Sequence, residues 1–297
     1  MTKPTYRPWL AALITVLLWA SAFPMIKLGL QDFSPIPLAA LRFAVAGVTL
    51  IVLLLLSRQL RPVEDGTRIH KPKILLRLGF AALMGIAGYN VLLNTGQQTI
   101  NAGAASFIVN TVPVFTVIFS ATLLKERFTP WAWVGMCISF SGVALIASTQ
   151  PGGLSFGAGA IWVLGAAICQ AAFFVAQKPL VLLLGPLRTT TIVVIAGAVW
   201  LSPWLPHALT EAVDASWASL ATVVYLGIFP AAAGYATWSY AQAHFGASRA
   251  ANFLYLVPPV AVAIAWFTSG ETPNLLTLIG GALAILGVAV INTRGRR

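Results

Sequence analysis

Apolar residues run through the chain in blocks, and short polar breaks separate them. Ten blocks stand out: Trp9–Leu30, Ile36–Ser57, Ile74–Leu93, Ala102–Leu124, Trp131–Ser148, Gly157–Leu180, Leu187–Leu205, Trp217–Ala243, Ser248–Thr268 and Leu275–Asn292. About 20 such residues are what a helix needs to cross a bilayer. The breaks at Ser34–Pro37, Gln150–Gly153, Gly185–Pro186 and Glu271–Asn274 carry turn-forming Pro, Gly, Ser and Asn. The pattern predicts an all-α integral membrane protein with ten transmembrane helices. The first block has the basic start and Ala20-Ser21-Ala22 site of a signal peptide. It continues apolar to Leu30, so it reads as a spanning helix.

Composition narrows the class. The chain is 59% hydrophobic and 8% charged, with a mean hydropathy of +0.87. A soluble domain carries about 25% charged residues, and a disordered one is far less apolar. The net charge of +11 sorts by side. With a cytoplasmic N-terminus, 16 of the 18 Lys and Arg fall at the inner side, and outer loops hold none. The other two, Lys27 and Arg42, lie inside helices 1 and 2. The basic stretch Arg58–Arg77 then faces anionic lipid, and no nucleic acid is needed to explain the charge. Cys137 and Cys169 lie in apolar runs without metal-ligand spacing.

The chain also matches itself at an offset of about 146 residues. Gly88-Tyr89 answers Gly234-Tyr235, Ala104-Ala105-x-Phe107 answers Ala250-Ala251-x-Phe253, and Pro113-Val114 answers Pro259-Val260. After a slip of one, Glu126 answers Glu271, Gly135 answers Gly280, and Gly142-Val143-Ala144 answers Gly287-Val288-Ala289. Residues 1–150 and 151–297 are therefore expected to be two repeats. Five helices each is an odd number, so the second is expected to be inverted and both termini cytoplasmic. Inverted repeats are a feature of secondary transporters, whose substrate site lies near the midplane.

The residues Leu18-Trp19-Ala20-Ser21-Ala22-Phe23 with Lys27-Leu28-Gly29 resemble the first-helix signature of the EamA branch of the drug/metabolite transporter superfamily. Val112-Pro113-Val114-Phe115, Lys125-Glu126-Arg127-Phe128-Thr129-Pro130, Gly135 and Gly142-Val143 continue the resemblance, which spans about 5 to 292. Within that branch the chain looks most like the bacterial aromatic amino-acid exporters of the YddG type. The resemblance implies ten helices around a central basket, with helices 5 and 10 outside it. Gly270-Glu271-Thr272-Pro273 departs from the first-half pattern by lacking the Arg.

Polar groups inside a bilayer are costly and face a cavity or a partner. Asn90, Asn94 and Gln97 share one face of helix 3, as do Ser106 and Asn110 on helix 4. Helix 6 carries Gln170 and Gln177 with Trp162 and Phe173. Helix 8 carries Tyr235 and Trp238, helix 9 Asn252 and Tyr255, and helix 1 Trp19 and Phe23. The amides are either interhelical ties, worth about 0.6 kcal/mol each, or cavity groups. Stripes on five helices favour a cavity, with Tyr89 and Phe107 of the repeated motifs included among its residues. Trp9, Trp131, Trp204 and Trp217 sit at block ends as interfacial anchors. Trp19, Trp162 and Trp238 lie deeper and are expected to line the cavity. Pro113 and Pro259 occupy repeat-equivalent mid-block positions and read as hinges or static kinks. Lys27, Arg42 and Lys178 either attract a substrate carboxylate and gate the path, or snorkel to the interface, Lys27 having Asp32 as a possible counter-ion.

All seven acidic residues, and His70, His207 and His244, lie outside block centres. The chain lacks an intramembrane carboxylate for proton relay, a metal cluster and a phosphate-binding Gly-rich loop. It is therefore expected to be no enzyme and to use no cofactor or metal. The expected function is amino-acid export across the inner (plasma) membrane by alternating access, without carboxylate-based proton coupling. Aromatic or bulky apolar amino acids suit the Tyr, Trp and Phe content. The alternatives are an antiporter of nucleotide sugars or phosphorylated metabolites, and an efflux carrier for aromatic cations. A channel or lipid-handling scaffold is a third class. The partners implied are a small-molecule substrate and the lipid bilayer, with no nucleic acid and no obligate protein partner.

Overall fold

The computed structural model describes residues 6–56, 72–123, 129–149, 158–245, 253–270 and 272–294, and among these every regular element is helical. Six helical stretches are long and apolar enough to cross a membrane, and four further apolar helices are shorter. Glu126, Glu271, Arg249, Asn252 and the basic residues Arg58–Lys71 lie outside the described residues.

Helices α1 (Arg7–Gly29) and α2 (Pro35–Leu56) follow the first two blocks. The third block is broken into α3 (Pro72–Ala82), a π-helical turn at Leu83–Gly88, and α4 (Tyr89–Gln97). The eighth repeats this device: α11 (Trp217–Leu226), a π turn at Gly227–Ala233, and α12 (Gly234–Phe245). Each π turn sits just ahead of the tyrosine of a repeated Gly-Tyr pair, so both tyrosines leave their helix at a widened turn. Such single-turn bulges concentrate at functional sites. Pro230 inside the second cannot donate an amide hydrogen, and its carbonyl accepts from the Trp19 indole at 3.2 Å.

The fourth block forms two helices, α5 (Ala102–Val109) and α6 (Val112–Leu123). Pro113 thus stands at the start of a new helix instead of kinking one, which suits a residue with no amide hydrogen to donate to the preceding turn. Its counterpart follows the same course. A 3₁₀ turn at Leu254–Leu256 leads into α13 (Val257–Ser269), and Pro259 is in its first turn.

Helices α7 (Pro130–Ser148) and α14 (Leu275–Arg294) pair along their length. Glycine makes this possible. A Cβ on Gly135 would lie 2.6 Å from the Gly287 carbonyl oxygen, and one on Gly280 2.7 Å from that of Gly142. Both contacts are reciprocal, because a Cβ on Gly287 or Gly142 would strike the opposite carbonyl. The repeat offset of 145 carries the first contact onto the second.

Helices α8 (Ala158–Leu184) and α9 (Pro186–Leu201) meet at Gly185, whose φ of 81° suits glycine. The block expected to end at Leu205 ends at Leu201. A 3₁₀ turn at Ser202–Trp204 leads to α10 (Leu205–Asp214), a short amphipathic helix that the apolar pattern did not predict. Two loops cross-tie at this end. Asp32 accepts from the Ser216 amide and hydroxyl at 3.0 and 2.6 Å, and Glu211 accepts from the Ser34 amide at 3.0 Å. Those hydroxyl and amide donors of Ser216, with Ser219, hold the exposed Asp32 carboxyl below its ordinary value of 3.8.

Candidate functional site

A central cavity of about 70 Å³ lies between α1, α2, α4, α5, α6, α8, α12 and α13. Trp19 and Phe23 of α1 form one wall, Tyr89 of α4 and Tyr235 of α12 a second, and Phe174 of α8 a third. Ser106, Asn110 and Gln170 add polar atoms, and Arg42 of α2 adds a charge. Val109 and Val112 with Pro113 place the break between α5 and α6 on the cavity. The end of one helix and the start of the next thus present opposite partial charges at one site.

The aromatic wall is continuous. Trp19 packs on Tyr235 and Trp238 at 5.4 and 5.3 Å, and Phe174 stacks on Trp238 at 5.9 Å. Glycine admits this packing, since a Cβ on Gly234 would lie 2.7 Å from the Trp19 indole nitrogen.

Arg42 is the centre of the electrostatics. It is 4% exposed, and one guanidinium nitrogen donates to Asn90 Oδ1 at 3.0 Å. Asn90 is held in turn by its own donation to the Ile86 carbonyl at 2.8 Å, within the first π turn. The guanidinium also lies 5.2 Å from the Phe43 ring centre. No carboxylate among the described residues lines the cavity. Three buried polar atoms on its lining have no hydrogen-bond partner among the described residues: Arg42 Nε, Asn110 Nδ2 and Gln170 Oε1. No group of three or more His, Cys, Asp or Glu able to hold a metal occurs among the described residues.

The structure brings together Trp19, Phe23, Arg42, Tyr89, Asn110, Pro113, Gln170 and Tyr235 of the expected residues. Others stand behind the wall. Trp238 is buried and backs Trp19. Phe173 fills the space beside Gly85, and Phe107 that beside Gly281. Gln177 is buried away from the cavity. Asn94 donates to the Pro35 carbonyl at 2.9 Å and Gln97 to that of Phe23 at 2.9 Å, so both tie helices together. Tyr255 donates to the Val288 carbonyl of α14 at 3.1 Å.

Four of the candidate residues stand off the cavity. Trp162 faces outward and is 45% exposed, because its side of α8 is turned from the basket. Lys178 is exposed and lies outside the cavity. Lys27 donates to the carbonyls of Gln97 and Ile100 at 2.8 and 3.1 Å, where a cation complements the end of α4. Asp32, one of the alternative partners for Lys27, accepts from Ser216. Pro259 is exposed, so the two repeat-equivalent prolines differ in position relative to the cavity. Asn252 lies outside the described residues.

Phe174 is the one aromatic of the cavity that sequence reasoning passed over in favour of Phe173. The signal was its spacing: Phe174 lies four residues from Gln170 and shares its face.

A second cavity, of about 260 Å³, lies between the start of α5, the end of α7, α13 and the start of α14. It is rimmed by Asn101, Thr149, Thr272, Asn274 and Thr277. There the hydroxyls of Thr149 and Thr277 meet at 2.9 Å, bridging the two ends of the glycine-lined pair.

Comparison with known proteins agrees with this architecture. The EamA-like transporter family model matches the chain twice, over residues 7–148 and 157–293. A probable terminal-alkyne amino-acid exporter of Streptantibioticus cattleyicolor is 38% identical over 97% of this chain and 94% of its own. The uncharacterized transporter YdfC of Bacillus subtilis is 34% identical over 97% of this chain and 92% of its own. A solved crystal structure shares the fold, with a TM-score of 0.60 at 20% identity over 95% of this chain and 94% of that one. The chain belongs to the EamA-like transporter family and is a multi-pass membrane transporter, not an enzyme.

Proposed function

We propose that the protein exports amino acids with apolar or aromatic side chains across the inner membrane by alternating access between two inverted five-helix halves. In this reading ten helices span the membrane and both termini are cytoplasmic. The observation that carries it is the central cavity. Its aromatic walls suit an apolar side chain. Arg42 and the facing ends of α5 and α6 suit a carboxylate beside an ammonium. The reciprocal glycine contacts of α7 and α14 and the paired π turns support two related halves. The relative named as an amino-acid exporter points to the same substrate class.

Cavity size favours a second version of this reading. A volume of about 70 Å³ holds roughly five waters, whereas pockets for drug-sized ligands occupy about 300–1,000 Å³. An aromatic amino acid requires the basket to open, while a slender apolar side chain requires less. A phosphorylated or nucleotide-sugar substrate needs clustered cations, and of Lys27, Arg42 and Lys178 only Arg42 lines the cavity. An aromatic cation would have to bind beside that buried guanidinium. Proton coupling through a carboxylate is disfavoured, because none of the described residues lining the cavity is acidic.

The test is counterflow in proteoliposomes loaded with unlabelled tryptophan, phenylalanine, threonine or UDP-glucose, with and without a pH gradient. Saturable exchange of amino acids that ignores the gradient is expected. Exchange with UDP-glucose alone, or accumulation that collapses with the pH gradient, overturns the reading.

A further inference from the structure

The three unpartnered polar atoms of the cavity are unequal in kind. Arg42 Nε and Asn110 Nδ2 are donors, and Gln170 Oε1 is an acceptor. All three side chains are at least nine-tenths buried, with exposures of 4%, 7% and 5%. Burying a polar atom without a partner is costly, so three on one small cavity mark groups that a ligand satisfies. The start of α6, at Val112 and Pro113, adds the positive end of a helix dipole to the same space.

We propose that the cavity selects its substrate by the carboxylate. Arg42 and Asn110 donate to it, and Gln170 accepts from an amino group that is accessory. The argument is one of charge balance. A full positive charge with one amide partner among the described residues, Asn90, sits in the cavity wall, and no acidic side chain of the described residues lines the space to meet an ammonium. A hydrogen bond to a charged group in this setting is about twice as strong as a neutral one. The carboxylate meets a charge, and the ammonium meets only neutral acceptors. The site therefore takes deaminated monocarboxylates as well as amino acids and rejects the matching amines. This inference rests on the amino-acid reading above and sharpens its substrate class.

The experiment uses the full-length protein in proteoliposomes exchanging labelled phenylalanine, with 3-phenylpropionate and 2-phenylethylamine as competitors. Norvaline, valerate and butylamine provide a parallel series of slender side chains. Thermal stabilisation of the detergent-solubilised protein by each compound gives a second readout. The acids are expected to compete within about tenfold of the amino acids, and the amines to be weaker than the acids by about 10- to 100-fold, the size of a charged hydrogen bond. Gln170→Leu is expected to raise the apparent KM for phenylalanine while leaving inhibition by phenylpropionate unchanged. Asn110→Leu is expected to weaken both. Amines that compete as well as acids, or acids that neither compete nor stabilise while amino acids exchange, overturn the proposal and leave amino-acid transport standing. Acids that stabilise the protein without amino-acid exchange sink the transport reading and keep the carboxylate site. If no compound of either series binds, both fall.

Discussion

The α7–α14 pair and the central cavity solve opposite problems with the same kinds of residue. Along the pair, backbones touch through Gly135, Gly142, Gly280 and Gly287, and a cluster of Val114, Ala132, Met136, Val288 and Ile291 closes beside them. A helix contact of this kind in lipid depends on close van der Waals packing. Around the cavity, glycine does a different job. Gly85 and Gly234 make room for Phe173 and Trp19, and the aromatic side chains then surround unsatisfied polar atoms. One region gains from having no space left, and the other keeps space and leaves polar groups exposed to it. The comparison teaches that small residues mark both the rigid and the working parts, and only their neighbours tell which.

The largest expected effect comes from breaking the rigid side. Gly142→Leu drives a side chain into the Gly280 carbonyl and the Ala284 amide, both backbone. Overpacking against side chains costs about 1–3 kcal/mol, and backbone yields less readily. The variant is expected to lose folded protein in the membrane, read as a collapse of the monodisperse fraction in detergent. A variant that melts normally would show that the pair is looser than its geometry.

Breaking the working side costs function more than folding. Trp19→Ala removes two aromatic contacts, each worth about 0.5–1.5 kcal/mol, and the indole donation to Pro230. Flux is expected to fall about tenfold or more with folded protein retained. Trp162→Ala sharpens the comparison, because the outward-facing indole should change flux less than about twofold. Equal losses from both would mean that the cavity wall is not where substrate passes.

These two tryptophans also show how far the sequence is legible. Trp19 stands midway along α1, whereas Trp162 lies within the first turns of α8. Orientation is not read from the apolar block, because apolar residues cover most of the circumference of α8 and their periodicity selects no side. The stripe Asn90, Asn94 and Gln97 was readable as one face, but what lay opposite was not. Asn94 and Gln97 meet the carbonyls of Pro35 and Phe23, and backbone carries no signature in sequence. Phe173 and Phe174 differ by about 100° around the helix, so one residue of misjudged phase exchanges a cavity group for a core group. Pro113 marked a break, yet nothing in its spacing said that two helices would meet there and face the cavity. The apolar pattern also missed α10, since ten residues with His207, Glu211 and Asp214 look like loop when judged by hydropathy alone.

The smallest effect tests a tie that belongs to neither region. Asp32 joins the α1–α2 loop to the start of α11 through Ser216. Its carboxyl is held below the ordinary value of 3.8, so the ionised form is the one the folded state favours. The contribution is fully present above 3.8 and is lost as pH falls through the lowered value. Asp32 is exposed, and water competes for such a tie. Asp32→Asn is therefore expected to lower the melting temperature slightly at neutral pH, with the difference from the parent closing in strong acid. Because neither Asp32 nor Ser216 lines the cavity, transport near neutrality is expected to stay within about twofold of the parent. A large flux loss in Asp32→Asn without loss of protein would mean that the cross-tied loops take part in the transport cycle, and the division between rigid frame and working cavity would have to be redrawn to include them.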